Sequence, residues 1–589
     1  MRENGLKTKN IKCDLCVVGG GIAGMNVAIT AARLGVKVVL INERPVFGGN
    51  ASGEIRMWIC GVRDYEYRET GIGEEINLEN FYYNPTKNYN IWNTILYNKV
   101  QSEKNITPLL NCTCFEAKAE NGKISSVKAY QMTTETFFVV EADYFADCSG
   151  DGIFAPLVGA GFMYGREGKD EYGEPMRSHF KRDEKTMGNS CLLQARKTDK
   201  IVPFTAPEWA EKVPVEKLKS KGVDISSAGE NFWYVEIGGD KDVVGDAEML
   251  NNRLIALCLG VWDTIKNSGE FDADCYELEF LGFLGAKRES RRMLGDYVLT
   301  ANDILSAKAF PDTVAYGGWP LDDHNPAGFD GNESNYTINV PKPYGIPYRC
   351  LYSVNIDNLF FAGRNISATH MALSSARVMG TCGTLGQAVG AAAFVAKKYS
   401  CTPREAGKHI DEIQQTLLFN DCYLPNVIRR VGKVCLIGGL VGGDDTLRNG
   451  NDRCFNGEKA FYIPNGKPIK YVFDKPTEIG GVKVVFDSDL TRSTFDVDEV
   501  EKHHSMRCNI LDDSPLMSMP KTLAKEFDIV ATLPSGETVA LSKERNNLKR
   551  NVLIGVDMPV KEVALTVYAN WGKTEKTGVF TFETYDNGG

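Results

Sequence analysis

The chain has 589 residues, 43% of them hydrophobic, and a formal net charge of −10. That length accommodates several domains with ample core, and the acidic balance argues against a nucleic-acid or anionic-membrane partner. MRENGLKTKN at the start lacks the apolar run of a signal peptide, and no stretch reaches the ~20 apolar residues of a membrane helix; a cytoplasmic protein with no membrane span is expected. Its sixteen cysteines then read as reduced thiols.

Residues 14–18 (DLCVV) form an apolar strand that runs into Gly19-x-Gly21-x-x-Gly24. An alanine-rich helical pattern follows over 25–34, Gly35 ends it, and 36–41 (VKVVLI) is a second buried strand reaching Asn42-Glu43. Strand, glycine turn, helix, strand and acid in that order predict a dinucleotide fold rather than a β-turn-α with spare glycines. The first glycine permits the turn, the second lets backbone approach a pyrophosphate, and the third lets helix and strand pack closely. Ile22 and Ala23 open the helix, whose free N–H groups face the phosphates. Glu43 is placed to accept both ribose hydroxyls, which disfavours NADP, with Arg44 beside it. Cys13-x-x-Cys16 lies in the first strand, where residues three apart point to opposite faces, so neither a disulfide nor a metal is expected there.

Phe47-Gly48-Gly49-Asn50-Ala51-Ser52 adds a second glycine pair, which NAD domains rarely carry. It selects FAD, with Gly48, Gly49, Asn50 and Ser52 along the pyrophosphate and ribityl chain. No side chain is clearly placed for a flavin–protein bond, so the FAD is expected to be non-covalent. Segment 54–103 is polar and aromatic with helical stretches and is expected to cover the flavin, and 106–111 (ITPLLN) to pair within the nucleotide sheet. Residues 143–152 (DYFADCSGDG) run from strand into a polar turn holding Asp147, Gly150 and Asp151. Residues 358–364 (NLFFAGR) are a late strand ending at Gly363 and Arg364. In 377–393, Gly380, Gly383, Gly386 and Gly390 recur at near-helical spacing. They mark either a tightly packed core helix or one aimed N-terminus first at the flavin, with Thr381, Cys382 and Gly383 at its start.

These motifs are joined by ERPVFGGNAS, GAKRESRRMLGDYVLTANDI, GGWPLDDH, YGIPYRCLYS and NLFFAGRNISATHMALSSARVMGTCGTLGQAVG. On them the chain resembles the bacterial FAD-dependent oxidoreductase family, distantly similar to fumarate reductase flavoproteins and the flavin subunit of heterodisulfide reductase. The resemblance covers nearly all of 11–400 and implies an α/β enzyme. Its Rossmann-like FAD-binding domain is discontinuous (11–152 and 347–400), with an inserted α+β substrate domain (153–346). Residues 401–443 read as a helical linker, with 402–418 one helix and Pro403 in its first turn. LIGGLVGG (436–443) fails the dinucleotide test, because polar Asp-Asp follows where a helix should begin, so no separate NAD(P)H domain is visible. From 444 to 589, period-two strands broken by turn residues predict an antiparallel β-sandwich. With DRCFNGEKAFYI leading in, it loosely resembles the galactose-binding-like jelly roll, as a sugar-binding or packing module. A cut near Gly443 is then expected to leave an FAD-binding protein.

Four side chains are candidates for the chemistry. His370, between the late strand and the flavin-facing helix, is the expected general base. His324 lies in a Pro-rich loop (WPLDDHNP), Arg349 precedes the late strand, and Arg292 follows Arg288, Glu289 and Arg291; the arginines could hold substrate. Cys60 and Cys382 lie near glycine loops and read as packing residues. No His/Cys/acid cluster has zinc spacing, so no metal is expected. Three activities fit: hydride transfer from a small organic substrate, such as a carbohydrate hydroxyl, to flavin; reduction of an activated C=C bond; or a non-catalytic flavin electron relay. Each needs an electron acceptor or donor that the sequence does not identify, and a homo-oligomer is allowed.

Overall fold

In the computed structural model, which describes residues 2–3, 5–176, 181–455, 459–497, 499–504, 506–511 and 515–586, the chain divides into two compact units. The first comprises Met1–Arg63, Lys87–Ile413 and Asp498–Pro515. It is mixed α/β, built on a large Rossmann-like sheet. Strands β1 (Leu6–Val18), β2 (Val38–Ile41), β3 (Ile106–Leu109), β4 (Cys112–Glu120), β5 (Lys123–Gln131), β6 (Thr136–Asp147) and β7 (Leu359–Phe361) belong to it. Their order is β3-β2-β1-β6-β5-β4, with β7 added on β6. The β1–β2, β2–β3, β1–β6 and β6–β7 pairs are parallel, and β4, β5 and β6 form an antiparallel meander. The start of β1 alternates in exposure, whereas Leu15–Val18 is wholly buried, as a strand covered on both faces requires.

Register decides where a ligand goes. Val18 pairs with Ile41 and with Asp147, and Phe361 pairs with Asp147. The carboxyl ends of the parallel strands therefore form one row, the edge at which open α/β sheets bind ligands. Helix α1 (Ile22–Arg33) leaves that row directly after β1. A Cβ on Gly386 would sit 2.3 Å from the Ala23 carbonyl oxygen, and one on Gly390 2.8 Å from that of Val27. These glycines let the long helix that follows β7 lie against α1. Between Gly152 and β7 the chain forms small sheets and α2 (Ala247–Asn267), whose Leu254, Cys258, Val261 and Trp262 share a core with Leu193 and Ile237. The long helix itself, α3 (Met379–Tyr399), corrects one expectation: its 21 residues are long and apolar enough to cross a membrane, but 78% of its most apolar window is buried within the protein.

The second unit comprises Asp64–Thr86, Gln414–Val497 and Leu516–Gly589. It holds a five-stranded sheet and a four-stranded sheet, both antiparallel. Tyr471, Ile529 and Val563 of one share an apolar core with Val484 and Phe582 of the other. Besides 498–515, expected within the C-terminal sandwich but grouped with the first unit, the division departs from the expected boundaries in three ways. Residues 64–86 belong here rather than over the nucleotide domain: Leu78 and Phe81 enter this core, and buried Glu74 pairs with buried Arg492 at 2.6 Å. The region read as a linker is structural, because Gly439–Val441 is an edge strand of the five-stranded sheet. The single helix expected over 402–418 is instead Pro403–Ala406 and Ile410–Phe419, separated by a 3-10 turn at Gly407. Asn456–Glu458 of the lead-in lie outside the described residues.

Candidate active site

The row of strand ends opens onto a cavity of about 1340 Å³, which among the described residues is lined from the first unit. One half is made of backbone. Gly19 has φ +109°, and a Cβ there would lie 2.3 Å from the Cys148 carbonyl oxygen, so only glycine turns the chain here. Gly48 has φ +104°, its N–H bonds the Gly20 carbonyl, and Gly21 and Gly49 face each other across the gap. Gly21 caps α1 with no side-chain hydrogen bond, and Val378 caps α3 likewise, so both helix starts come to the cavity without a capping side chain, Gly380 N–H of α3 being taken by the Cys60 carbonyl. Such helix ends attract negative charge. Beside them lie Ile22, Ala23, Glu43, Arg44, Asn50, Gly150, Asp151, Gly363, Arg364 and Cys382. Asp151 pairs with Lys287 at 2.7 Å and Arg364 at 2.8 Å. Burial pushes its pKa up, but these two cations outweigh burial and hold it at about 2.

Several polar atoms here lack a protein partner. Arg364 Nε, Arg377 Nε and Asn189 Oδ1 belong to residues of the cavity wall, and Ser52 Oγ and Thr381 Oγ1 are buried behind it. Buried polar groups are ordinarily partnered, so these atoms are free to meet an occupant of the cavity. An occupant with phosphates and a polar heterocycle fits this set, as a glycine cradle between two helix starts suggests.

The other half is made of side chains. Trp58, Trp233, Tyr234 and Trp319 supply aromatic surface, with Arg63, Arg288, Arg377 and His324 among them. Arg63 lies over the Trp319 ring at 4.6 Å. His324 is held at both nitrogens: Nδ1 is 2.6 Å from Glu236 and Nε2 is 3.1 Å from Asp322. Burial works to raise the Glu236 pKa, but Arg288 and His324 hold it down at about 2. Asp322 is also lowered against its burial, by the hydrogen bond and charge of His324 and by Arg377. Burial pushes the thiols of Cys60 and Cys382 up to about 12. Both are neutral thiols at ordinary pH, without thiolate reactivity.

Of the four side chains expected to carry the chemistry, only His324 borders the cavity. His370 is 1% exposed, with Nδ1 2.9 Å from Glu289 and Nε2 2.9 Å from Asp323. Burial by itself lowers its pKa, but Glu289 and then Asp323 outweigh it and raise it to about 10. Held at both nitrogens and off the cavity wall, it is not placed where the expected general base would meet a substrate. Arg292 is equally buried, bonded to Glu289 at 2.7 Å, Glu167 at 2.6 Å and the Gly165 carbonyl. Arg349 pairs with Asp312 at 2.9 Å, also off the cavity. Among the residues expected on FAD, Ser52, Asp147, Thr381, Gly24 and Gly383 do not line the wall. Asp147 instead accepts hydrogen bonds from Ser149 and Phe154 and so shapes the turn. Gly24 and Gly383 are packing glycines: a Cβ on Gly24 would overlap the Gly19 carbonyl at 1.8 Å, and one on Gly383 would touch Asn26 at 3.4 Å.

Glu236, Asp322, Arg377 and Trp58 went unassigned at the sequence level. The one signal was Asp322-Asp323-His324, three polar residues on a short strand (Leu321–Asp323 and its end). Alternation sends Asp322 to His324 and Asp323 to His370.

Residues 14–417 match the family described as FAD dependent oxidoreductase. Among curated proteins, a glycerol-3-phosphate dehydrogenase of Mycobacterium leprae is 36% identical over 66 residues, 11% of either chain. Glycerol-3-phosphate dehydrogenase 2 of Mycobacterium tuberculosis matches to the same extent, so the chain spans 11% of the length of these relatives. Among solved structures, adenylylsulfate reductase from Archaeoglobus fulgidus is 12% identical with a TM-score of 0.28, over 70% of this chain and 74% of that one. A geranylgeranyl bacteriochlorophyll reductase-like protein from Thermoplasma acidophilum is 11% identical with a TM-score of 0.29, over 70% and 86%. The chain belongs to the FAD dependent oxidoreductase family, and it is an enzyme with FAD as its cofactor.

Proposed function

We propose that this enzyme moves a hydride between a small organic substrate and FAD, and that His324 exchanges the accompanying proton. Bound FAD supplies the two-electron chemistry. The glycine turns at Gly19–Gly21 and Gly48–Gly49 and the start of α1 would hold its pyrophosphate, Glu43 its adenosine ribose, and the start of α3 its flavin ring. His324 Nδ1 is anchored on the Glu236 carboxylate, which fixes the ring, and Nε2 is the nitrogen that trades a proton with a substrate hydroxyl or carbonyl. Asp322 holds that nitrogen in the resting site, and Arg377 and Arg63 can grip an anionic group on the substrate. The observation that carries this reading is that Glu236, His324 and Asp322 line the same cavity as the glycine cradle.

Reduction of an activated C=C bond is a second reading, supported by the three guanidinium groups of Arg63, Arg288 and Arg377 in one half of the cavity. An anaerobic panel separates the two. Bleaching of the yellow protein by hydroxy acids or polyols supports the first, and reoxidation of dithionite-reduced protein by enoates supports the second. Silence to every hydroxyl substrate, with enoates active, would replace the first reading. Glu43→Arg should lower FAD retention about tenfold, because it removes one charge-assisted acceptor; retention at the wild-type level in equilibrium dialysis would remove Glu43 from the cofactor site.

A further inference from the structure

The chain leaves the second unit after Val497 and returns to it at Leu516, and the residues between group with the α/β unit. This strap is pinned by backbone. Cys508 N–H bonds the Ala228 carbonyl at 3.0 Å, Ile510 N–H bonds the Ala195 carbonyl at 2.9 Å, and Lys197 N–H returns a bond to the Ile510 carbonyl at 2.9 Å. Asn509, wholly buried, accepts from Ala195 N–H at 2.9 Å and donates to the carbonyls of Ile225 and Ser227. Lys87 Nζ bonds the Glu501 carbonyl at 3.2 Å. Between these anchors, His504 lies flat on Trp58, with ring centroids 3.9 Å apart and an interplanar angle of 6°.

Trp58 is the point at which the strap meets the site. It lines the cavity two residues before Cys60, another lining residue. The Cys60 carbonyl in turn accepts from Gly380 N–H in the first turn of α3 at 2.7 Å. The strap therefore reaches Trp58 through His504, and Cys60, two residues further along the chain, is tied to the helix start expected under the flavin. An indole on a cavity wall has several staggered orientations open to it unless something covers its face.

We propose that His504 is a positioning residue: by stacking on Trp58 it fixes the wall of the substrate cavity beside Cys60, so that the strap completes the active site. This holds whichever substrate the enzyme takes and does not depend on His324.

The test uses full-length, FAD-loaded protein and reads the access of Cys60 by iodoacetamide alkylation mapped to its peptide by mass spectrometry. His504→Ala should raise the labelling rate of Cys60 about tenfold, because local opening governs the access of buried groups, whereas His504→Phe, which keeps a flat ring, should label at the wild-type rate. Trp58→Ala should reproduce the fast labelling. Wild-type labelling in His504→Ala, or equally fast labelling in His504→Phe, would overturn the proposal. If His504→Ala does not accumulate as yellow protein, His504→Leu is compared with His504→Phe in the same assay: fast labelling only in the leucine variant supports stacking, and equal rates refute it.

Discussion

Two histidines in this molecule have nearly the same immediate surroundings and different fates. His324 and His370 are each buried, and each is clamped between two carboxylates, Glu236 and Asp322 for one and Glu289 and Asp323 for the other. The difference lies in what stands behind the carboxylates. Around His370, Glu289 also holds Arg292, and Arg292 holds Glu167, and among the described residues none of these lines the cavity. Around His324 the same clamp stands on a cavity wall, and its carboxylates are shared with Arg288 and Arg377, which also line it. A closed buried charge network carries structure, whereas an open one can exchange protons with a ligand. Hydrogen-bond pattern alone does not separate a catalytic histidine from a structural one; access does.

The comparison breaks most visibly in turnover. His324→Ala should keep the flavin spectrum and slow flavin reduction by roughly 10²–10⁴-fold, the usual worth of a positioned acid or base. The second largest effect is on stability. His370→Ala breaks the buried pair with Asp323 and leaves Glu289 with Arg292 as its cation, a change that costs about 3–5 kcal/mol; chemical denaturation should show it as an earlier midpoint, and an unchanged midpoint would place the cluster's stability elsewhere.

A smaller effect is the pH response. The folded pKa of His370 is raised to about 10, against an unfolded value near 6.5. The stability it contributes is fully present below the unfolded value and is lost as pH rises through the folded one. The wild-type denaturation midpoint should therefore fall between about pH 6.5 and 10, and His370→Gln should remove that fall. The smallest contrast lies between neighbours on one strand. Asp322→Asn should slow flavin reduction about tenfold with little change in midpoint, as loss of an orienting partner does. Asp323→Asn should move the midpoint and spare the rate; the same profile for both variants would mean that the two clamps are not separate.

The backbone half of the site was legible in the sequence and the side-chain half was not. Gly19, Gly21, Gly48 and Gly49 announce themselves because a tight turn and a close approach admit few other residues, and the strand–turn–helix order around them fixes their place at a sheet edge. The partners of His370 could not be read in the same way, since Glu289 lies 81 residues before it and Asp323 47. Nothing in the local pattern distinguishes Asp322 from Asp323 until the strand's alternation is oriented in the fold. The same holds for the units. Residues 72–83 form a helix of low amphipathic contrast, and only the burial of Glu74 against Arg492, 418 residues away, reveals that they belong with the C-terminal sheets. A cut near Gly443 would strip the core from Leu78 and Phe81 and remove the strap, so the expectation that such a truncation leaves an intact FAD-binding protein is withdrawn.

The central claim is that His324, and not His370, exchanges the proton. The most direct measurement is anaerobic stopped-flow reduction of the flavin, by whichever hydroxyl substrate the panel identifies, in wild type, His324→Ala and His370→Gln at one pH. The account predicts near-wild-type reduction in the His370 variant and reduction slowed by at least about 100-fold in the His324 variant, with FAD content equal in all three. Reduction at the wild-type rate without His324, or its loss in FAD-replete His370→Gln, would contradict it.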